Sequence, residues 1–138
     1  MNEFIKRANE LQMNMRPDHI TENFLWSEIV CPCCDTIKIV PGVFAHMARL
    51  QIMRMELGSS IHVNSGYRCP KHNMAVGGAT RSWHLLFATD VRPGDKDTDK
   101  LKLMYRLALQ LEFGGVGLYE DVGFIHLDMR QETARWRG

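Results

Sequence analysis

The sequence predicts an α+β domain in which a small antiparallel sheet is flanked by helices. Apolar residues recur every three or four positions in three stretches, and short apolar runs lie between turns rich in glycine or proline. The chain has 138 residues, 45% hydrophobic and 24% charged, which is ordinary for one globular domain. We therefore expect a single domain over 1–138, with an N-terminal helix and a cysteine cluster in 1–40 and the core of the domain in 41–138.

Helical spacing and end signals predict three helices. The first ends before Pro17, the second begins at Pro41 and ends before Gly58, and the third begins at the capping residue Thr98. The predicted helices cover residues 3–15, 41–57 and 98–111.

Four short apolar runs predict strands. The last two runs flank a four-residue turn, 120–123, and are expected to form a hairpin. The stretch 65–83 contains several glycines and a proline, and it is predicted to be a loop. The predicted strands cover residues 60–64, 88–92, 116–119 and 124–129.

Charge and hydropathy exclude several classes of function. The net charge of +1 gives no basis for nucleic-acid binding. No apolar stretch reaches the 18 residues that a membrane span needs, and the N-terminus lacks the basic and apolar segments of a secretory signal peptide. The expectation is a chain that is cytoplasmic when synthesised. The sequence leaves the oligomeric state open.

Two histidines, one aspartate and one arginine can supply a metal site with a cation beside it. His84, Asp90 and His126 offer two imidazoles and a carboxylate, a set that suits a catalytic zinc ion with its fourth position left open. Arg68 is a fixed positive charge able to hold a substrate carboxylate or an oxyanion. These residues predict a small zinc hydrolase.

The motifs around these residues resemble those of the M15 peptidases, which are zinc D-Ala-D-Ala carboxypeptidases and peptidoglycan endopeptidases. The similarity is strongest to short bacterial and phage members and covers about half of the chain. The matching motifs, in family order, are Asn64-Ser65-Gly66-Tyr67-Arg68, His72-Asn73, Val76-Gly77-Gly78, Ser82-Trp83-His84, Ala88-Thr89-Asp90, Gly114-Gly115-Val116-Gly117 and Phe124-Ile125-His126-Leu127-Asp128.

The resemblance implies a fold like that of the hedgehog signalling domain, with the catalytic core in 41–138. It implies zinc ligands at His84, Asp90 and His126, a catalytic arginine at Arg68, and peptidoglycan stem peptides as substrates. A phage lysis enzyme, released to the cell wall at lysis, or a virion component agrees with the missing signal peptide.

The residues near the motifs suggest further roles. Asp128 follows His126 by two positions, so both side chains share one face of a strand. Asp128 is the first candidate for the general base, and Glu120, on the preceding turn, is the second. Tyr67 and Trp83 are candidates for substrate binding. Ser82 either binds substrate or caps the loop.

The chain departs from the family pattern at two points. Five residues separate His84 from Asp90 where the family usually has six, and Phe87 stands where glycine is expected. Many members carry an acidic residue three positions before the last ligand, and here that position is Gly123. These departures support an alternative, in which the chain is a catalytically impaired M15-fold module for binding or virion assembly.

The four cysteines suggest a second metal site. Cys31-Pro-x-Cys34 and Cys69-Pro-x-His72 each place two ligands three positions apart, the spacing of tetrahedral zinc sites. A structural zinc ion bound by Cys31, Cys34, Cys69 and His72 would have no open position, and Cys33 is an alternative ligand. The other interpretation is that all four cysteines are reduced thiols.

Overall fold

The computed structural model describes residues 2–11 and 16–138, and within them it contains four α-helices, two 3-10 turns and seven strands. The fold class is α+β, as predicted. The helices are α1 (Glu3–Glu10), α2 (Gly42–Leu57), α3 (Pro70–Ala75) and α4 (Thr98–Gln110). The strands are β1 (His19–Thr21), β2 (Phe24–Leu25), β3 (Ile61–Ser65), β4 (Ala88–Pro93), β5 (Gly115–Tyr119), β6 (Phe124–Asp128) and β7 (Ala134–Arg137).

The predicted N-terminal helix is present but ends earlier than expected. The side chain of Asn2 caps α1 by accepting a hydrogen bond from the backbone N–H of Ile5. Leu11 already has an extended backbone, and residues 12–15 of the predicted helix lie outside the described residues. Ile5 and Ala8 are buried where α1 packs on α2.

The main sheet has five strands in the order β3-β4-β6-β5-β7. Four strands are antiparallel, as predicted, and β5 and β6 form the expected hairpin. The prediction of a purely antiparallel sheet is wrong at one edge, because β7 pairs in parallel with β5. The final strand was missed because Ala134–Arg137 alternates apolar and charged residues and lacks a continuous apolar run.

The prediction that 65–83 is only a loop is also wrong. Cys69 caps the six-residue helix α3, and Pro70 occupies its first position, so local capping forms a helix too short to show periodicity. A second hairpin, β1–β2, was also missed because its strands have only three and two residues.

One hydrophobic cluster joins the helices to the sheet. Helices α2 and α4 contact each other, and they bury Met47 and Leu50 of α2 and Met104 of α4. Val116 and Ile125 of the sheet pack in the same cluster. The helices therefore support the sheet and leave its polar residues near Asp90 to form a cleft. No helix among the described residues is long and apolar enough to cross a membrane.

Candidate active site

The three predicted metal ligands converge in one cleft. Asp90 on the inner strand β4 is the cross-strand neighbour of His126 on β6. His84 lies in a short 3-10 turn, Trp83–Leu85, just before β4. One ligand-type atom of each residue lies within 4.8 Å of the other two. The short turn therefore brings His84 to Asp90 despite the five-residue spacing.

Asp90 bridges the two imidazoles. Its Oδ2 lies 3.2 Å from His84 Nε2, and its Oδ1 lies 3.0 Å from His126 Nδ1. Burial acts to raise the pKa of Asp90, but hydrogen bonds from the two histidines outweigh burial and lower that pKa to about 2. Asp90 is therefore a carboxylate at neutral pH, the form in which it binds a cation.

Both histidines have a second partner that fixes the ring. The backbone carbonyl of Gly66 accepts a hydrogen bond from His84 Nδ1 at 2.7 Å, which leaves Nε2 facing Asp90. His126 Nε2 donates to Asp128 Oδ2 at 2.8 Å, which leaves Nδ1 facing Asp90. Each ring thus has one nitrogen held by an outer partner and directs the other nitrogen toward the same carboxylate, the arrangement found around metal-binding histidines.

Asp128 lies on the same side of β6 as His126, as the two-residue spacing predicts. It is fully buried, and Arg130 donates to both of its oxygens, at 2.8 Å to Oδ1 and 2.6 Å to Oδ2. Burial acts to raise the pKa of Asp128, but hydrogen bonds from Arg130 and His126 hold it well below its usual range. Burial acts to lower the pKa of His126, but hydrogen bonds to Asp128 and Asp90 outweigh burial and raise that pKa.

Arg68 borders the cleft next to Asp90. Its Nη2 lies 3.7 Å from Asp90 Oδ2. Its Nε donates to Ser65 Oγ at 3.1 Å and its Nη1 to Asn73 Oδ1 at 3.3 Å. The buried Asn73 is itself fixed by a hydrogen bond to the Ala79 carbonyl. The guanidinium is therefore oriented by neutral groups and retains its positive charge toward the cleft.

The cleft has a volume of about 360 Å³ and is rich in cations and aromatic rings. Arg130 lies between the indoles of Trp83 and Trp136, 5.1 Å from each ring centroid. Asp90 is the only acidic residue that lines this cleft in the described part of the chain. Its described lining residues are Arg68, Ala79, Arg81, Ser82, Trp83, His84, Asp90, Tyr119, Phe124, His126, Arg130 and Trp136.

The other predicted residues occupy different positions. Ser82 lines the cleft and also caps the 3-10 turn by accepting a hydrogen bond from the backbone N–H of His84. Tyr67 packs in the hydrophobic cluster and is 9% exposed. Glu120 is exposed, forms a 3.0 Å ion pair with Arg137, and borders a separate cavity.

A protein-family model for peptidase M15 matches residues 22–128, about three quarters of the chain. The chain belongs to the M15 peptidase family. No curated protein gives a significant match. The match confirms the family resemblance that the sequence motifs indicated. The matched region includes His84, Asp90 and His126.

The ligand set of this M15 peptidase fits a catalytic metal. Two imidazole nitrogens and one carboxylate oxygen are a donor set found in zinc enzymes. Gly66 and Asp128 each accept a hydrogen bond from the outer nitrogen of one histidine. The inner nitrogens of both rings face Asp90. The residues therefore fit the zinc ion that is typical of the family.

Sequence reasoning missed Arg130 and Trp136, although a signal for both was present. A Cβ atom on Gly115 would lie 2.4 Å from Asp128 Oδ2, and one on Gly117 would lie 2.4 Å from the Trp136 ring. The glycines of β5 thus leave the space that these side chains occupy. Glycines at alternate positions of a strand indicate such close approach, but the sequence does not identify what approaches.

The four cysteine sulfurs form a second group, separate from the cleft ligands. Cys31, Cys33, Cys34 and Cys69 each offer a sulfur within 4.8 Å of the other three. His72 is not part of this group, and Cys33 stands in the position expected for it. Burial acts to raise the pKa of Cys31, but backbone N–H groups of Cys69 and Cys33 donate to its sulfur and lower the pKa to about 7.

Proposed function

We propose that this chain is a zinc metallopeptidase that hydrolyses peptide bonds in peptidoglycan stem peptides, as a D-Ala-D-Ala carboxypeptidase or an endopeptidase. The observation that carries the proposal is the convergence of His84, Asp90 and His126 within 4.8 Å in an open cleft. The same convergence disfavours the alternative of an impaired binding module, since His84 lies beside Asp90 despite the short spacing.

His84 Nε2, His126 Nδ1 and Asp90 would hold the zinc ion. When bound, zinc acts as a Lewis acid and lowers the pKa of water to about 7. The protein contributes orientation, because the Gly66 carbonyl and the Asp128 carboxylate each accept a hydrogen bond from the outer nitrogen of one histidine. Tautomers fixed in this way keep the inner nitrogens available for the metal.

Arg68 would bind the carboxylate of the substrate or the oxyanion that develops at the scissile carbonyl. Its side chain is held by Ser65 and Asn73, so little side-chain entropy remains to be lost when the substrate binds. Preorganised donors of this kind contribute roughly 3–4 kcal/mol to transition-state stabilisation.

The charge of the cleft supports an anionic peptide as substrate. Arg68, Arg81 and Arg130 line the cleft together with Trp83 and Trp136. Stem peptides carry free carboxylates and short side chains, so the guanidinium groups match their charge and the indoles supply flat apolar walls. Ser82 lies beside these walls, where its hydroxyl can contact the peptide backbone.

Asp128 was the first candidate for the general base, and its contacts support a different role. Both of its oxygens are occupied by Arg130 and His126, and its side chain is fully buried. We propose that Asp128 positions His126 and that Arg130 keeps Asp128 ionised. Glu120 borders another cavity and pairs with Arg137, so we assign it no role in proton transfer.

The proposal is tested by incubating zinc-loaded protein with purified peptidoglycan and with a synthetic stem pentapeptide. Mass spectrometry should detect either released D-alanine or fragments with a new amino terminus. His126→Ala, which removes one ligand, serves as the matched inactive control. If zinc-loaded protein releases neither product from either substrate, the proposed activity is wrong.

We further propose that the enzyme acts on the cell wall after release at lysis or as part of a virion. The proposal rests on the resemblance of the motifs to those of bacterial and phage M15 peptidases, and the same resemblance implies the hedgehog-like fold. Addition of the protein to permeabilised bacteria should lower the turbidity of the suspension, and His126→Ala should not. Hydrolysis of soluble peptides without any effect on intact cell walls would contradict the proposed action on the cell wall.

A further inference from the structure

The four cysteines form a compact sulfur cluster, separate from the residues that converge in the cleft. Cys33 Sγ lies 3.5 Å from Cys31 Sγ and 3.3 Å from Cys69 Sγ. All four sulfurs lie within 4.8 Å of one another, and none is in a disulfide. Two distant parts of the chain, 31–34 and 69, therefore meet at these sulfurs.

The spacing of the sulfurs matches a tetrahedral zinc site. Zinc–sulfur bonds of about 2.3 Å place the sulfurs of a four-thiolate site about 3.8 Å apart. Four separate thiols have no reason to lie so close, because each is a weak hydrogen-bond partner for the others. We propose that Cys31, Cys33, Cys34 and Cys69 bind a second, structural zinc ion. This inference goes beyond the proposed peptidase activity and does not depend on it.

The backbone is folded to support thiolates at this position. The backbone N–H of His72 donates to Cys69 Sγ at 3.4 Å. The Cys31 carbonyl accepts a hydrogen bond from Asp35 at 2.7 Å, and its N–H donates to the Thr36 carbonyl at 2.7 Å. Both contacts close a tight turn that presents three cysteines to one point. Hydrogen bonds to sulfur favour the thiolate that binds metal.

The four sulfur donors favour zinc, and they differ from the expected ligands at one position. An all-sulfur site favours zinc over magnesium or calcium, which prefer oxygen donors. Cys33 takes the place predicted for His72, because Cys33 Sγ lies between Cys31 and Cys69. With four protein ligands the site has no position for substrate, so its role is structural.

The structural zinc ion would hold the segment around Cys31 against the segment that carries Arg68. Cys69 is the next residue after Arg68, and the backbone N–H of Tyr67 donates to the Ile29 carbonyl at 2.9 Å. The backbone N–H of Arg68 also donates to the His84 carbonyl. Loss of this metal should therefore destabilise the fold and disturb the cleft indirectly.

The test uses the His126→Ala variant, purified under reducing conditions without added metal, so that the cleft lacks one ligand. Elemental analysis should find one zinc per chain, and X-ray absorption should show four sulfur neighbours at about 2.3 Å. Cys69→Ser in the same background should lose this zinc. His72→Ala is the matched control and should retain it.

Wild-type protein gives a second readout if Cys69→Ser does not fold. Titration with a thiol-specific mercurial should release one zinc per four thiols modified, measured with a colorimetric zinc indicator. The proposal is overturned if His126→Ala protein contains no zinc, if its zinc has nitrogen or oxygen neighbours only, or if the cysteines are found in disulfides. Loss of the metal from His72→Ala would instead restore the histidine as a ligand.

Discussion

At the scale of single residues, the side chains around His126 have separable roles. Asp90 faces one nitrogen of its ring and Asp128 faces the other. Arg130 binds Asp128 through two parallel hydrogen bonds and is itself enclosed by two indoles. Asp90 therefore faces the cleft directly, whereas Asp128 acts on the cleft through His126.

Asp128→Asn should weaken zinc binding by about 10–100-fold, because an amide is a poorer acceptor for the proton on His126 Nε2. Zinc affinity is measured by competition with a chelator of known affinity. Asp121→Asn, on the exposed hairpin turn, is the matched control and should bind zinc as the wild type does. If Asp128→Asn kept full zinc affinity and lost only turnover, Asp128 would be the general base after all.

Arg68→Lys should lower kcat/KM by roughly 10²–10³-fold, equivalent to about 3–4 kcal/mol. A lysine lacks the planar fork that Ser65 and Asn73 hold in place. Zinc content should be unchanged, since Arg68 is 3.7 Å from Asp90 and supplies no ligand. Arg106→Lys on the exposed face of α4 is the control. Normal turnover by Arg68→Lys would remove Arg68 from the substrate site.

Sequence patterns identified the residues at the centre of the cleft but not their surroundings. His84, Asp90, His126 and Arg68 stand in motifs whose order in the chain carried the prediction. The Arg130 guanidinium was not anticipated, and Cys33 was only the alternative ligand, because the positions of both depend on how a turn folds back. For Tyr67 the motif was a poor guide, because its position suggested contact with substrate but its side chain packs in the hydrophobic cluster.

At the scale of elements, the strand β5 determines the space behind the cleft. Gly115 faces Asp128 and Arg130, while Gly117 faces the ring of Trp136. Parallel pairing with β5 places Trp136 directly opposite Gly117. The absence of side chains at these two positions lets a charged pair and an indole lie directly against the sheet.

Gly115→Ala should lower the free energy of unfolding by about 1–3 kcal/mol, because its Cβ would lie 2.4–2.5 Å from the Asp128 carboxylate. Zinc affinity should fall as well, since Asp128 must shift relative to His126. Urea denaturation and chelator competition measure the two effects. In the control Gly42→Ala, the nearest atom would be 3.9 Å away, so stability should not fall. Unchanged stability of Gly115→Ala would contradict the close packing.

The elements that sequence reasoning missed are the short ones. Helices α2 and α4 were predicted to within one residue at each end, because their apolar spacing extends over several turns. α3 and the β1–β2 hairpin have too few residues for any periodicity. β7 is fixed by pairing with β5, which is a contact between distant segments and leaves little trace in the local sequence.

At the scale of the whole molecule, a buried histidine links the core to the cleft. His46 on α2 is fully buried between the rings of Phe87 and Phe113. Its Nε2 lies 2.8 Å from Thr89 Oγ1, next to Asp90, and its Nδ1 has no hydrogen-bond partner among residues 2–11 and 16–138. Burial lowers the pKa of His46 to about 3 from 6.5.

The folded protein should therefore lose stability as the pH falls below 6.5. The unfolded chain then binds a proton at His46 that the folded chain does not bind until about pH 3. Between pH 7.5 and 5 the contribution of His46 to the free energy of unfolding should fall by about 2 kcal/mol. His46→Gln should reduce the pH dependence of the urea midpoint, whereas His62→Gln, at an exposed position, should not. Equal pH dependence in all three proteins would contradict this account.

The pairing of Asp90 with His126 across β4 and β6 also makes the cleft a test of correct folding. Side chains alternate between the two faces of a strand, so a slip of one residue would turn one of this pair away from the other. Only one alignment of the two strands would then form the proposed metal site. A metal that binds this alignment alone adds its binding free energy to that alignment. Newly made chains with slipped strands would gain no stability from the ion. The metal would therefore favour chains in which β4 and β6 pair in the correct register.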